Sequence, residues 1–331
     1  MKIKRLNIMG LKIRIYKEAM RPEWEAFVAA ANNGTMFHRQ QFLDYHPAGR
    51  FDNRHLMIYD GQRLAAVMTA LVREEPAGAA VISYGGASYG GLVTLPGLGI
   101  APLSRMAEAI TEFWMKEGAK RIIITQPPLI YLRQPHQYLE FALARLGYVY
   151  LKREITAAIP LDFSRQEDIT ASFRPETRTA LRKSSRSGVE VRISQNLEEF
   201  YRILEGNLSS RHNVKPTHTL AELKRLKKLL PDDILQFTSY LNGRPVAGMT
   251  VFVCNPRVIL AFYISHDQDY QEFRPVNSVY HRVIEWGWSN GFKHLDLGTF
   301  TLNMEPNWGL GRFKEGFGAR GYLRESFEFK V

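Results

Sequence analysis

Apolar and polar positions follow two periods along this chain, and the alternation between them predicts its elements. Lys12 to Lys17 places Ile13 and Ile15 between cations, the period of a half-buried strand. Pro22 stands at a first helical position and opens a helix through Ala31, which Asn32-Asn33-Gly34 ends. A short helix follows from about Arg39 to His46. Arg54 to Asp60 and a long run from Leu64 to Arg73 read as strands around Asp60-Gly61, a dipeptide that closes hairpins. Val81 to Tyr84 is a further strand, leading into the glycine-rich segment Tyr84-Gly85-Gly86 to Tyr89-Gly90-Gly91. After Pro102, the apolar residues Met106, Ala109, Ile110, Phe113 and Trp114 mark a helix that ends near Gly118. A buried strand at Arg121 to Thr125, a helix from about Gln137 to Arg145 and a strand from Tyr148 follow.

The second half repeats this order. Tyr59-Asp60-Gly61-Gln62-Arg63-Leu64-Ala65-Ala66-Val67 has an echo in Leu241-Asn242-Gly243-Arg244-Pro245-Val246-Ala247-Gly248-Met249. Ile110 to Ile124 is echoed by Val283 to Leu297: an aromatic-bearing helix, a glycine stop, a basic pair and a buried strand. Recurrence in one order marks an internal structural repeat. The spacing from hairpin to helix differs between the copies, so the repeat is structural and not a recent duplication. The expected division is 1–160 and 161–331, each a strand-rich sheet flanked by helices. Near the junction, Ser172 to Gly188 predicts a helix carrying Arg174, Arg178, Arg182, Lys183 and Arg186. Arg178 and Arg182 share a face, so the segment is either a solvated basic helix or a phosphate-binding surface. A strand at Val189 to Ile193, a helix from Leu197 to about Arg211, a proline loop to His218 and a cationic helix to Leu230 complete the pattern.

Composition narrows the classes. A chain of 331 residues with 45% hydrophobic and 23% charged residues is an ordinary globular protein of about two domains. No apolar run is long enough to cross a bilayer, and Met1 to Leu11 lacks an apolar signal core, so a cytoplasmic location is expected. The single cysteine, Cys254, excludes a disulfide framework and a cysteine-rich zinc site, and sits in an apolar run as a buried strand residue. The net charge of +11 favours polyanionic partners: nucleic acid, phosphorylated cofactors or an anionic membrane surface.

Chemistry concentrates in Trp308-Gly309-Leu310-Gly311-Arg312-Phe313-Lys314-Glu315-Gly316-Phe317-Gly318. Its four glycines and two cations suit a loop that closes over a substrate with Lys314 aimed at the chemistry, or a last turn with a solvated cation pair. The histidines are scattered, so no metal site is expected. There is no G-x-S-x-G elbow, no G-x-G-x-x-G and no P-loop. What remains suits transfer of an acyl group to an amine or hydroxyl, which needs a held donor, positive charge on the oxyanion and a proton acceptor. Lys314 and Arg312 offer the charge. Tyr263 ends a strand and either passes a proton to the leaving group or is a core-edge tyrosine. Asp296, in an apolar strand, is either a structural partner of a cation or a base on the incoming nucleophile.

These motifs carry a resemblance. The order N-G-x-P-V-A-G, A-F-Y-I-S, an aromatic helix, L-D-L-G and G-L-G-R-F-K-E-G-F-G resembles the Fem-type peptidyltransferases and their FemAB-like and BioF2-like acyltransferase relatives in the GNAT superfamily. The likeness is strongest from about Ser239 to Gly318. It implies an α/β (α+β) fold of two tandem GNAT-like domains, each a mixed, mostly antiparallel sheet flanked by helices. It also implies that Phe313 and Lys314 act in transfer, and that the donor is acyl-CoA or aminoacyl-tRNA. The coiled-coil arm of several aminoacyl-tRNA-using members has no counterpart here. GNAT enzymes hold pyrophosphate at a helix start. The matching place is Gln271 to Asn277, with Arg274 and Asn277 as donor-binding residues, but it lacks the R/Q-x-x-G-x-G/A loop; Pro96 to Pro102 in the first half lacks a leading cation. The acceptor, a small molecule or a cell-envelope precursor, is expected between the halves near Arg211, His212 and His218. Transfer RNA and peripheral membrane contact fit the charge. Two other classes stay open: an RNA- or anion-binding module, and a catalytically silent GNAT-like scaffold.

Overall fold

The structure, a computed structural model, describes residues 10–212 and 214–331, with side chains at all of these except 210–212. The chain divides into two compact units, Met1–Glu154 with Leu323–Val331, and Ile155–Tyr322.

In the first unit the strands are β1 (Leu11–Ile15), β2 (Asp52–Asn53), β3 (Leu56–Asp60), β4 (Arg63–Thr69), β5 (Leu71–Arg73), β6 (Ala80–Ile82), β7 (Gly91–Thr94) and β8 (Arg121–Thr125). Helices α1 (Arg21–Ala30), α2 (Gln40–Leu43), α3 (Ile100–Lys116) and α4 (Tyr138–Arg145) accompany them. One sheet has the order β1-β3-β4-β7, while β8-β6-β5-β2 run together elsewhere, with β6 parallel to β8. The expected long strand from Leu64 to Arg73 is therefore two. Ala70 breaks it, its amide bonding His55 Nδ1 at 3.0 Å and its carbonyl the Arg54 amide at 2.9 Å, and the halves enter different pairings. The glycine-rich segment is a packing feature: a Cβ on Gly90 would lie 1.7 Å from the Ser83 carbonyl oxygen. Leu56, Met68, Leu92, Ile110, Trp114, Ile122 and Ile124 form the core.

Strand β9 (Val149–Pro160) gives its residues from Ile155 onward to the second unit. There follow α5 (Gln166–Ala171), α6 (Pro175–Arg186), β10 (Glu190–Ile193), α7 (Leu197–His212), α8 (Leu220–Leu229), β11 (Ile234–Leu241), β12 (Arg244–Asn255) and β13 (Val258–His266). Then come α9 (Pro275–Ser289), β14 (His294–Thr299), the short pair β15 (Thr301–Leu302) and β16 (Glu305–Pro306), α10 (Trp308–Glu315) and β17 (Arg320–Lys330). The sheet order is β10-β11-β12-β13-β14-β9, antiparallel except for β13 with β14. Asn242 and Gly243, at φ 52° and 77°, make the tight β11–β12 turn that two positive-φ residues allow. The basic helix begins three residues later than Ser172, because Pro175 opens it and the Arg174 amide bonds the Gly316 carbonyl at 2.9 Å. Phe237, Met249, Val251, Val279, Val283, Leu295 and Phe317 are among the core residues, and Cys254 is buried. The last residues of β17 return to the first unit, where Ser326 pairs with Thr125 in β8. The sequence division had placed all of 161–331 in the second domain.

Candidate active site

Strands β13 and β14 pair in parallel only over Val258–Leu260 and His294–Asp296, and then part. Beyond that point β13 runs on to His266. Strand β14 bulges instead: its register against β9 jumps from Asp296↔Ala158 to Thr299↔Thr156, with Gly298 at φ 73°. A cavity of about 560 Å³ opens where the strands separate. Ala261, Phe262 and Ile264 of β13 and Leu297 of β14 line it, as do Leu310, Phe313 and Lys314 of α10 and Leu204 and Asn207 of α7.

The bulge leaves the carbonyls of residues 297–299 turned out of the ladder, and Lys314 takes all three. Its Nζ donates to Leu297 O at 2.7 Å, Gly298 O at 2.8 Å and Thr299 O at 3.0 Å. These are the only three N–H groups an ammonium has. Lys314 is 3% exposed, and burial pushes its pKa down to about 8 while the Asp296 carboxylate works the other way. It therefore brings charge to the cavity wall, with its hydrogen bonds spent on holding the bulge. The segment expected as a closing loop is helical: Asn307 Oδ1 caps α10 by accepting from Leu310 N at 3.0 Å. Phe313 stands edge-on to Tyr280 (5.6 Å) and Phe317 (5.3 Å), which fixes the helix against α9.

The start of α9 forms another wall through Pro275, Val276 and Asn277. Arg274 precedes it in the left-handed region (φ 56°) and lines the cavity with its side chain exposed. Pro275 has no N–H, and the Asn277 amide is taken by Arg274 O at 3.0 Å, so few backbone donors remain here for a pyrophosphate. Arg274 and Asn277 both line this cavity, the first exposed and the second buried. A second cavity of about 490 Å³ shares Asn207 and His266 with the first and adds Arg202, Arg244, Glu199, Asp267 and Gln268. Between the two runs a polar chain: Asn207 Nδ2 donates to Ser265 Oγ at 2.9 Å, and Gln268 Nε2 reaches Asn207 Oδ1 (3.2 Å) and His266 Nε2 (3.4 Å).

The other expected site residues whose side chains are described do not line this cavity. Tyr263 does not line it; its hydroxyl accepts from the His218 amide at 3.0 Å and lies 2.8 Å from His218 Nδ1, and burial raises its pKa. His218 is buried and serves this contact. Asp296 is buried below the cavity: its Oδ1 accepts from Thr156 Oγ1 and, at 2.8 Å, from Gly298 N, so it braces the bulge. Arg312 is exposed and does not line the cavity. The side chains of Arg211 and His212 lie outside the described residues. His266 and Asn207, which join the two cavities, were missed by the sequence reading. Their signal was faint: a titratable group three residues past Tyr263 at a strand end, and an amide side chain within a helix.

Among the described residues no cluster of His, Cys, Asp and Glu could hold a metal ion, and no helix is long and apolar enough to cross a membrane.

Residues 171–315 match the family model of the acetyltransferase (GNAT) domain, the stretch that carries both cavities. No curated protein matches the chain. Among solved structures the chain is similar to FemX at 13% identity, covering 97% of each chain with a TM-score of 0.74. It is also similar to L-PGS from Bacillus licheniformis (14% identity, 95% of this chain and 93% of that one, TM-score 0.59). A tandem GNAT protein from the clavulanic acid biosynthesis pathway gives 11% identity, 97% and 98% coverage and a TM-score of 0.55. At such identities these likenesses speak for the fold. The domain match covers residues 171–315 as an acetyltransferase (GNAT) domain, and the fold of the chain is similar to that of FemX and of the tandem GNAT protein.

Proposed function

We propose that the cavity between the parted strands seats an activated acyl group, from acyl-CoA or aminoacyl-tRNA, and that an amine or hydroxyl acceptor meets it from the second cavity. The observation that carries this reading is the cavity itself, opened by the parting of β13 and β14 and edged by the first turn of α9. The acceptor nitrogen or oxygen attacks the acyl carbon. Negative charge develops on the carbonyl oxygen in the field of the Lys314 ammonium. His266, on the boundary of both cavities, takes the acceptor proton. The C–S bond of a thioester, or the C–O bond to the tRNA ribose, then breaks, and the proton held by His266 passes to the departing sulfur or oxygen. Phe313 walls the acyl group, and Arg274 and Asn277 face the donor phosphates. The likeness to L-PGS and FemX supports including aminoacyl donors and envelope or lipid acceptors in the search.

Thermal shift against CoA, acetyl-CoA, uncharged tRNA and aminoacyl-tRNA at fixed salt tests the donor. Stabilisation by either acylated donor, lost in Asn277→Asp, is the expected result. Binding of tRNA alone, insensitive to aminoacylation and abolished by moderate salt, would instead favour an RNA-binding module. Stabilisation by none of the four would point to a silent scaffold.

A further inference from the structure

Beside the cavity the second unit exposes large apolar side chains in close succession. Trp308 is 79% exposed, Leu302 74% and Met304 57%. All three fall within the β15–β16 hairpin and the first residue of α10. The hairpin tip, Asn303-Met304, has both residues at positive φ, 52° and 66°. Such a turn calls for glycine in its second place, as Asn242-Gly243 supplies in the β11–β12 hairpin of this same chain. Methionine there is held in a conformation that costs an ordinary side chain energy, and it points an apolar group at solvent. A strained apolar tip beside an exposed tryptophan is the chemistry of a surface that is covered in use.

The cations choose the cover. Arg312 stands one helical turn from Trp308, exposed and without an ion pair among the described residues, and the chain carries a net charge of +11. Glu305 is the one acid within the hairpin. Tryptophan with aliphatic side chains, an arginine and an overall basic chain are the groups that settle at the headgroup boundary of an anionic bilayer. We infer that Leu302, Met304 and Trp308 form a docking surface for an anionic lipid bilayer. Leu310 and Phe313, on the same helix, line the cavity, so docking brings its mouth to the membrane. That an acceptor is then presented from the lipid rests on the acyl-transfer reading; the docking does not, and it is tested without any donor.

The experiment is vesicle co-sedimentation with tryptophan fluorescence, using phosphatidylcholine vesicles with and without phosphatidylglycerol. Wild type should bind the phosphatidylglycerol vesicles with a blue shift and bind pure phosphatidylcholine weakly. Trp308→Ala should lower partitioning by roughly tenfold or more, the weight of one large apolar side chain. Met304→Gly separates docking from folding, because glycine relieves the turn: it should melt no lower than wild type and still bind vesicles more weakly. Equal binding by wild type and both variants, or no binding to anionic vesicles, overturns the inference. Self-association of wild type that Trp308→Ala abolishes, without vesicle binding, assigns the surface to a second copy and overturns it too.

Discussion

Lys314 gives the sharpest prediction, because its burial sets two pH responses of opposite sign. The folded pKa is about 8 against an ordinary 10.5, and this depression is caused mainly by desolvation. Below pH 8 the lysine is protonated in folded and unfolded chains alike and contributes no pH dependence. Between about 8 and 10.5 the unfolded chain keeps a proton that the folded chain has released, so stability rises with pH. The fall from 10.5 to about 8 corresponds to a gain of about 3 kcal/mol, complete near pH 10.5. Catalysis runs the other way. In the proposed reaction the ammonium is the positive charge beside the reacting carbonyl, so turnover should fall as pH climbs through about 8. Chemical denaturation of wild type and Lys314→Met from pH 7 to 10.5 reads the first effect: wild type should gain about 3 kcal/mol relative to the variant over that interval. Lys314→Met should also lose turnover by roughly a hundredfold at pH 7, and Lys314→Arg should keep its activity to higher pH than wild type. A constant stability difference across the range, or an alkaline limb unmoved in Lys314→Arg, would refute the reasoning.

Other expectations follow from single contacts. Gly298→Ala meets no neighbour within 4 Å, so its cost is backbone strain at φ 73°, about 1 kcal/mol by thermal unfolding, with turnover reduced because the bulge carbonyls shift from Lys314. Tyr263→Phe should leave turnover unchanged while losing about 1–2 kcal/mol of stability, since the buried His218 amide loses its acceptor; a collapse of turnover would restore the tyrosine to the chemistry. Arg182, Lys183 and Arg186 line one shallow concavity on α6. If tRNA binds there, replacing all three with Gln should reduce the slope of log affinity against log salt by about 2, and an unchanged slope would exclude that surface.

The hairpins and buried strands were legible because turn dipeptides and apolar runs are local properties. Asp60-Gly61 and Asn242-Gly243 mark turns wherever they stand. What sequence could not supply was the consequence of bulges. Thr250 pairs with Tyr263 while Val251 pairs with Ala261, so Phe262 is an extra residue, and it resets which side chains of β13 face the cavity. The sequence reading ended the strand at Tyr263, and the true strand end at His266 went unread. The α10 segment failed for a related reason. Its glycines suggested a loop, yet Gly311 lies inside the helix, where a Cβ would come within 3.0 Å of the Phe300 ring. There glycine permits close packing, and Asn307 sets the helix start. Lys314 stood out in the sequence and lines the cavity, but its hold on three carbonyls depends on a bulge that no spacing in the sequence announces.

The central claim is that the cavity between β13 and β14 holds the acyl donor. Leu310 lines its mouth and is 38% exposed, so Leu310→Trp can block entry without disturbing the core. Equilibrium binding of acetyl-CoA and, separately, of aminoacyl-tRNA should show one of them bound by wild type and lost in Leu310→Trp at unchanged melting temperature. Binding of neither donor, or equal binding by both proteins, would contradict the account.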